Sequence, residues 1–237
     1  MDVTELSVWV QLGLIVLVTA VRYLVERLVV RIFKAVKMES TSIQFFAKSI
    51  VMVVFNIIVL FLFGLLSVEL FAFTNVAMGI IFVAVGLVVA FLVALLSYSA
   101  IKAEYGEGYN ALLAKSPIER VLTWTTFLVL IGFSEDLFFL GFVQNVLQER
   151  MGWGAIVVYI VIFVLYHFAN VLGGVEKKKE FLGTLPVRIL IATLLGVSFY
   201  STGSLIYGVV FHNMVDTFSY VALVQGVNKA YQEKTAV

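Results

Sequence analysis

The chain carries a series of apolar stretches, most of which are long enough to cross the hydrocarbon core of a bilayer as an α-helix, about 20 residues. Of its 237 residues, 62% are hydrophobic and only 13% are charged, whereas a soluble domain has about 25% charged residues. Because a backbone in lipid must satisfy its own hydrogen bonds, we expect these stretches to be helical. We therefore predict an all-α, polytopic transmembrane helix bundle, formed as a single transmembrane domain over residues 1–237.

The apolar runs predict about seven membrane spans. They are Val8–Phe33, Ser49–Phe73, Val76–Ile101, Val121–Leu147, Trp153–Leu172, Pro186–Tyr200 and Leu205–Val224. The sixth run is short, and its helix could begin further back, near Phe181. Pro117 and Pro186 are expected near helix starts, where a missing backbone N–H costs little.

The basic residues predict the orientation of these spans. Most of them fall on one side of the predicted membrane: Arg31, Lys34, Lys37, Lys48, Lys102, Lys115, Arg120, Lys177, Lys178, Lys179, Arg188, Lys229 and Lys234. The other side has only Arg150. By the positive-inside rule, the N-terminus is predicted outside and the C-terminus in the cytoplasm. Met1–Glu5 is acidic where a signal peptide would be basic, so we expect no cleaved leader.

The composition also excludes several kinds of chemistry and partner. The chain has no cysteine, which excludes disulfides, thiolate catalysis and cysteine-ligated metals. Its net charge is only +1, so it has no nucleic-acid footprint. The partner that composition does predict is membrane lipid, and composition leaves the oligomeric state unknown.

Three charged residues, Arg22, Glu26 and Arg27, lie in the second half of the first predicted span. We interpret them as side chains that snorkel to the cytoplasmic interface. An i,i+4 ion pair between Arg22 and Glu26 fits that interpretation. The alternative is contact with the headgroup of a lipid or substrate.

A pair of carboxylates, Glu135-Asp136, lies in the middle of the apolar run Val121–Leu147. A charged side chain at the centre of a bilayer costs about 2.5–3.5 kcal/mol on insertion scales. Packing does not require such residues, and intramembrane ionisable groups mark functional sites. We therefore take this pair as the first part of a candidate reaction centre.

The two histidines of the chain, His167 and His212, also lie inside apolar runs. Asp216 follows His212 by four residues, so both should share one helix face. Side chains on facing helices can converge inside a bundle to build a site. Asparagines in the spans are predicted to form interhelical hydrogen bonds rather than to act as catalysts. They are Asn56, Asn170 and Asn213.

Two chemistries fit an acid and two imidazoles at membrane depth. In the first, a glutamate and a histidine activate water, and the other histidine with a polar side chain stabilises a developing oxyanion. In the second, two histidines and a carboxylate hold a divalent metal, and another carboxylate is the base. Both would hydrolyse a peptide bond, and composition does not choose between them.

Three short motifs resemble those of the CPBP intramembrane proteases, the family of the type II CAAX prenyl endopeptidase and the Abi proteins. The segment Glu135–Phe142 resembles the Glu-Glu-x-x-x-Arg-Gly motif. Phe163-x-x-x-His167 is similar to the second motif, Phe-x-x-x-His, and His212-x-x-x-Asp216 to the third, His-x-x-x-Asn/Asp. The motifs occur in the family's order and lie within the core region 121–224.

The resemblance implies roles for the matching residues. Glu135 would activate water, and His167 would orient that water or share its proton. His212 and Asp216 would form the oxyanion side of the site. The substrate would be a peptide or protein, including lipid-modified ones. The family mechanism has been argued both with a metal and without one, and we favour the mechanism without one. A divalent metal such as zinc would be held by His167, His212, and Asp216 or Glu135.

The chain departs from the family pattern at Asp136, which replaces the second glutamate, and at Leu140, which replaces the arginine. In the usual motif these two positions are i and i+4, so they would form a buried ion pair. Asp136, a supporting residue, is thus expected to lack a partner, or to bond a hydroxyl or amide on a neighbouring helix. Asp216 in place of Asn adds a negative charge that needs a proton, an imidazolium or a metal nearby.

These observations favour an intramembrane endopeptidase. A second hypothesis, motivated by Leu140, is a family member without protease activity that acts as a binding, immunity or scaffold protein. A third is a proton-coupled transporter, which also uses buried carboxylates and histidines. The sequence shows neither the inverted repeat nor the paired broken helices of many transporters, so we rank it last.

Overall fold

The computed structural model describes residues 3–103, 116–172 and 176–235 of the chain. Seven long helices occupy most of these residues. They are α1 Val8–Ala35, α2 Thr41–Leu62, α3 Val76–Ala103, α4 Pro117–Met151, α5 Gly154–Leu172, α6 Lys178–Thr202 and α7 Leu205–Thr235. No strand occurs in these three ranges. The predicted all-α helical bundle is confirmed.

Six of the helices in the described ranges, α1 to α6, are long and apolar enough to cross a membrane. The seventh predicted span lies on α7, which falls outside that set. This helix carries His212, Asn213 and Asp216, whose polar side chains lower its hydropathy. The protein is therefore a multi-pass membrane protein with six candidate spans, and the predicted orientation of its termini, which depends on the span count, stays a prediction.

The second span was predicted at Ser49–Phe73, and the structure moves both of its ends. Helix α2 starts at Thr41, because the side chain of Ser40 accepts a hydrogen bond from the Ile43 N–H and caps the first turn. It ends at Leu62, where Gly64 adopts a positive φ of 71°. Glycine is the residue that most readily takes this conformation after a helix, so the apolar sequence that follows leaves the helix.

The fourth and sixth spans begin earlier than predicted. Helix α4 starts at Pro117 with a capping box between Ser116 and Glu119, which confirms the place of this proline at a helix start. Helix α6 starts at Lys178, and the Glu180 carboxylate accepts the Lys177 N–H. Pro186 therefore lies inside α6, and its predicted place at the helix start is wrong. Membrane helices tolerate such an internal proline.

Helix α4 is the central element and is not a regular α-helix. Two π-helical segments, Thr126–Leu130 and Phe139–Gln144, flank a short α-helical stretch, Ile131–Phe138. This middle stretch contains Glu135 and Asp136. Because π-helical turns break the regular hydrogen-bond ladder, they are frequent at functional sites. Helices α2, α5, α6 and α7 all pack against α4.

The longest helix contact in the described part of the chain joins α3 and α7. Two glycines of α3 allow it. A Cβ at Gly79 would lie 2.2 Å from the Tyr207 ring, and one at Gly86 would lie 2.5 Å from the Phe211 ring. Small residues at such positions let membrane helices approach closely.

Candidate active site

Glu135, His167 and His212 meet at one point inside the bundle, although they belong to three different helices. Glu135 Oε2 lies 3.7 Å from His167 Nε2 and 3.8 Å from His212 Nε2. Both distances exceed a direct hydrogen bond. They are short enough for a single water molecule to contact the carboxylate and an imidazole together.

Two of the three side chains are partly exposed, and His212 is buried. Glu135 is 22% exposed, His167 18% and His212 7%. Glu135 and His167 line a cavity of about 200 Å³, called here the inner cavity, together with Arg22, Ser134 and Tyr166. The site is therefore a concave pocket with an acid and a base on its wall, the arrangement expected of an active site.

The hydrogen bond of His167 fixes which of its nitrogens faces the carboxylate. Its Nδ1 lies 2.9 Å from the carbonyl oxygen of Phe163, one turn earlier on α5. A carbonyl can only accept, so Nδ1 carries the hydrogen and donates it. In the neutral ring, Nε2 is then the acceptor, and it points toward Glu135. The Phe163 ring packs on the imidazole with centroids 4.3 Å apart.

Asp136 is paired with His212, which differs from the prediction. Its Oδ1 lies 2.9 Å from His212 Nδ1, and the side chain of Asp136 is 1% exposed. The expectation of an unpartnered Asp136, or of a hydroxyl or amide partner, is wrong. An imidazole on α7 takes the place of the missing arginine. Asp136 Oδ2 stays buried and has no hydrogen-bond partner among the residues that the structure describes.

Asp216 also lies inside the bundle, one turn after His212 on α7. Its Oδ2 is buried and makes no hydrogen bond within the described residues. It is close enough to His212 for their charges to interact. This carboxylate is thus held beside the imidazole rather than turned toward lipid.

Backbone contacts fix the position of α4 against its neighbours. Asn213 of α7 accepts a hydrogen bond from the Gly132 N–H at 3.0 Å and donates one to the Val129 carbonyl at 3.2 Å. These are backbone groups at the end of a π-helical segment. From the other side, Asn56 of α2 donates to the Ser134 carbonyl at 2.6 Å. The predicted interhelical role is confirmed for both asparagines.

Arg22 does not snorkel to the interface, so that interpretation is wrong. Its side chain is 2% exposed, and it lines the inner cavity. The predicted ion pair between Arg22 and Glu26 is also wrong. Glu26 instead binds Lys48 of α2 at 2.9 Å and accepts a hydrogen bond from the Tyr166 hydroxyl.

Sequence alone did not place Arg22, Glu26, Lys48 and Tyr166 in the candidate site. Lys48 was assigned to a loop because the start of α2 was placed eight residues too late. Tyr166 directly precedes the motif residue His167, and Arg22 lies one helical turn before Glu26. An arginine well inside an apolar run was a usable signal, since such residues face the bundle interior more often than lipid.

A second cavity, the outer cavity, adjoins the inner one. It measures about 230 Å³ and lies between α1, α2 and α5. Both cavities have Glu26, Phe45, Lys48, Tyr166 and Asn170 on their walls. The Glu26 cluster, which is Glu26 with Lys48 and Tyr166, thus separates the outer cavity from the one that holds Glu135.

The residues predicted to hold a divalent metal are a donor type that suits zinc, but in their present positions they do not form a closed metal site. Across the three described ranges, no group of three or more His, Asp or Glu side chains is arranged to hold a metal ion. That applies to His167, His212, Asp216 and Glu135, the predicted ligands.

Comparison with known protein families supplies the decisive observation. Residues 117–218 match the family model for the Type II CAAX prenyl endopeptidase Rce1-like proteins. This part of the chain is similar to the Rce1-like proteins. The matched region begins at the first residue of α4 and includes all three motifs, so the predicted family resemblance is confirmed. No curated protein and no solved structure matches the chain. Because the Rce1-like family is a protease family, the match supports a membrane-embedded hydrolase with a peptide or protein substrate.

Proposed function

We propose that this protein is an intramembrane endopeptidase in which Glu135 and His167 activate water. The observation that carries the proposal is the meeting of Glu135, His167 and His212 from three helices at separations of 3.7 and 3.8 Å. The Rce1-like match over residues 117–218 supports it independently. The substrate is a peptide of apolar or lipid-modified character, because the cavities lie among the membrane helices.

The proposed reaction begins at a water molecule between Glu135 and His167. Glu135 takes a proton from the water, and the water oxygen attacks the carbonyl carbon of the scissile peptide bond. His167 accepts a hydrogen bond from the water at Nε2, because its Nδ1–H is committed to the Phe163 carbonyl. A carboxylate needs to lie within hydrogen-bond reach of the proton that it removes, directly or through one water.

The second half of the reaction needs a donor for the oxyanion and a proton for the leaving amine. His212 with Nδ1–H bonded to Asp136 can donate from Nε2 when the ring is doubly protonated, and the Asp136 carboxylate stabilises that cation. Asp136 thus positions His212 much as an aspartate positions the histidine of a catalytic triad. The proton held by Glu135 passes to the amine nitrogen as the C–N bond breaks.

Asp216 is proposed to act with His212 on the oxyanion side. A carboxylate cannot itself stabilise an oxyanion, since like charges repel. Its contribution is to keep a proton or a cationic His212 in place, through the charge interaction between the two residues. Asp216→Asn, the residue usual in the family motif, should therefore retain activity, whereas Asp216→Leu should lose it.

The test of the proposal is the variant Glu135→Gln, which keeps the shape of the side chain and removes the base. The matched control is Glu149→Gln, an exposed carboxylate on the same helix. Each protein is reconstituted in liposomes with a pool of apolar peptides, and new peptide ends are counted by mass spectrometry. General-base catalysis is worth about 10²–10⁴-fold, so Glu135→Gln should lose at least a hundredfold. Hydrolysis that survives in Glu135→Gln, or that is absent from the wild type, would overturn the proposal.

The second candidate, a family member without protease activity, is favoured by Leu140. This side chain is fully buried. Its Cδ1 and the unpartnered Asp136 Oδ2 both lie beside Gly208, where an added Cβ would be 3.1 and 3.5 Å away from them. The double variant Leu140→Arg with Asp136→Glu would restore the family ion pair at this place. A large gain in hydrolysis would identify a weakened enzyme, and no hydrolysis in either protein would favour the second candidate.

A further inference from the structure

Arg22 is a buried cation, two of whose donor atoms have no hydrogen-bond partner in the part of the chain that the structure describes. Its side chain is 2% exposed, and its Nε and Nη1 have no partner within the described residues. Other arginines of the protein are engaged: Arg27 donates to the Ala169 carbonyl at 2.9 Å, and Arg188 pairs with Glu176 at 2.8 Å. A buried donor left without an acceptor is costly, more so when it is charged. Such a group calls for a functional reason.

Aromatic rings hold the guanidinium of Arg22 by its faces. The Cζ atom lies 4.5 Å from the Tyr166 ring centroid, 4.9 Å from that of Phe138 and 5.4 Å from that of Phe139. Cation–π contacts of this kind use the positive charge and leave the N–H groups free. The rings therefore stabilise the cation inside the bundle without satisfying its donors.

The acid one helical turn from Arg22 makes no ion pair with it among the described residues. Glu26, one turn further along α1, is occupied by the Lys48 ammonium and the Tyr166 hydroxyl. The partners of Glu26 lie on α2 and α5. Within residues 3–103, 116–172 and 176–235, Arg22 is therefore left without an anion in contact.

Arg22 lines the inner cavity, which also contains Glu135 and His167. A ligand in this cavity can meet the guanidinium and the proposed catalytic residues together. Because Nε and Nη1 are covered in this state, the side chain has to turn toward the cavity for those donors to be used. A guanidinium presents its N–H groups as a planar fork that matches a carboxylate, with two parallel charge-assisted hydrogen bonds.

We propose that Arg22 binds a carboxylate of the substrate and so selects which peptides occupy the inner cavity. This inference rests on the proposed function, because it names the substrate class of that site: a peptide with a carboxylate near the bond that is cut. The carboxylate comes either from the C-terminus of the peptide or from an acidic side chain. Arg22 is thus a specificity-determining residue, distinct from the residues that move protons.

The test measures binding and does not require hydrolysis. The purified 237-residue chain carrying Glu135→Gln is held in detergent micelles on a solid support and offered pools of random apolar octapeptides. One pool has a free C-terminal carboxylate, its twin has a C-terminal amide, and a further amidated pair contains one glutamate or one glutamine. Retained peptides are quantified by mass spectrometry. Hydrogen bonds to a charged partner should favour the carboxylate form by about tenfold to a hundredfold.

Substitutions of Arg22 decide whether this residue causes the preference. Arg22→Gln should reduce the ratio of carboxylate to amide retention to about one, and Arg22→Lys, which keeps the charge but loses the fork, should leave an intermediate ratio. The matched control is Arg27→Gln on the same helix, which should leave the ratio unchanged. Should Arg22→Gln fail to fold, the ratio of carboxylate to amide retention is compared between the protein that keeps Arg22 and Arg22→Lys. A lower ratio in Arg22→Lys then supports the inference, and an equal ratio overturns it.

Each outcome either supports the inference or overturns it. Preference for the free C-terminus or for the glutamate pool supports it and identifies the source of the carboxylate. Equal retention of all pools, including no retention of any, overturns it, as does a preference that Arg22→Gln leaves intact. The proposed function fails separately, because it depends on hydrolysis by the protein that retains Glu135. A carboxylate preference without any hydrolysis would leave Arg22 as the anchor of a binding protein.

Discussion

Helices α3 and α4 show how little apolarity says about burial in this protein. Helix α3 is the most apolar of the candidate spans, yet only 17% of its span is buried inside the bundle, whereas 61% of α4 is buried. Lipid is as apolar as a protein interior, so an apolar side chain gains little by choosing one over the other. A polar or charged side chain is far less stable in lipid than inside the bundle. Helix α4, which carries Glu135 and Asp136, therefore lies at the centre.

The two helices also differ in how they meet their neighbours. Helix α3 packs on α7 through glycines and apolar rings, at Gly79 and Gly86. Helix α4 is held by hydrogen bonds from Asn56 and Asn213 and by the Asp136–His212 pair. Helix α3 is therefore held by close packing of complementary surfaces, whereas helix α4 is held by specific hydrogen-bond and ion-pair partners.

The largest expected effect is a difference in unfolding free energy between two variants, each of which truncates one aromatic side chain, one in α4 and one in α3. Phe142 of α4 is fully buried, and Phe91 of α3 is 53% exposed. Phe142→Ala should cost about 3–5 kcal/mol of unfolding free energy, because it leaves a cavity in a packed core. Phe91→Ala should cost less than about 1 kcal/mol, as surface substitutions do. Reversible unfolding in mixed micelles measures both, and equal losses would remove the contrast between the helices.

A smaller effect is expected at the point where α4 touches α7. A Cβ at Gly132 would lie 2.7 Å from Asn213 Oδ1 and 2.9 Å from His212 Cβ. Gly132→Ala should therefore cost about 1–3 kcal/mol by overpacking and should reduce hydrolysis, because His212 is displaced. Gly13→Ala is the control, since nothing lies within 4 Å of a Cβ at that position. A fully stable and active Gly132→Ala protein would show that α4 and α7 are not closely fitted.

The contact of α3 gives a third, still smaller effect. At Gly79 an added Cβ meets the far part of the Tyr207 ring rather than a backbone atom, and that end of the side chain can shift. Gly79→Ala should cost about 1–2 kcal/mol and leave hydrolysis within about twofold of the wild type, since α3 carries none of the proposed catalytic residues and Tyr207 lies five residues before His212. Unfolding and activity measured on the same preparation would check this. Loss of activity without loss of stability would mean that α3 contributes directly to the site.

The smallest effect is expected at Asn56. Interhelical hydrogen bonds in membranes average about 0.6 kcal/mol, so Asn56→Ala should destabilise the protein by about that amount. Its hydrogen-bond partner is the Ser134 carbonyl, next to Glu135. Loss of this bond should therefore be seen more clearly in the Michaelis constant of hydrolysis than in the free energy of unfolding. Asn56→Gln, which keeps the amide, is the comparison. A loss of several kcal/mol would show that this bond holds α2 in the bundle.

The helices could be predicted because they depend on local sequence, and the meeting of the motif residues because three motifs in the order of a known family imply it. Apolar runs of membrane length define spans, and three spaced motifs place Glu135, His167 and His212 on separate helices. The end of α2 was missed because the sequence beyond Leu62 stays apolar after the backbone turns at Gly64. Hydropathy records where lipid is tolerated, and it does not record where a helix stops.

The pairings inside the bundle could not be predicted, because they depend on which helices pack together. Asp136 meets His212 and Glu26 meets Lys48 across helix interfaces, and nothing in one sequence specifies those partners. The i,i+4 rule favoured a pair between Arg22 and Glu26 within one helix. Inside the bundle, stronger contacts from α2 and α5 take Glu26 and leave Arg22 on aromatic rings.

The most direct test of the central claim is a double-mutant cycle on peptide hydrolysis by Glu135→Gln and His167→Ala. Residues that act on the same water as a unit are strongly non-additive. We predict that each single variant loses at least a hundredfold in kcat/KM. The kcat/KM of the double variant should then lie within about threefold of that of the less active single variant. Losses that multiply in the double variant, or single variants that retain activity, would contradict the account.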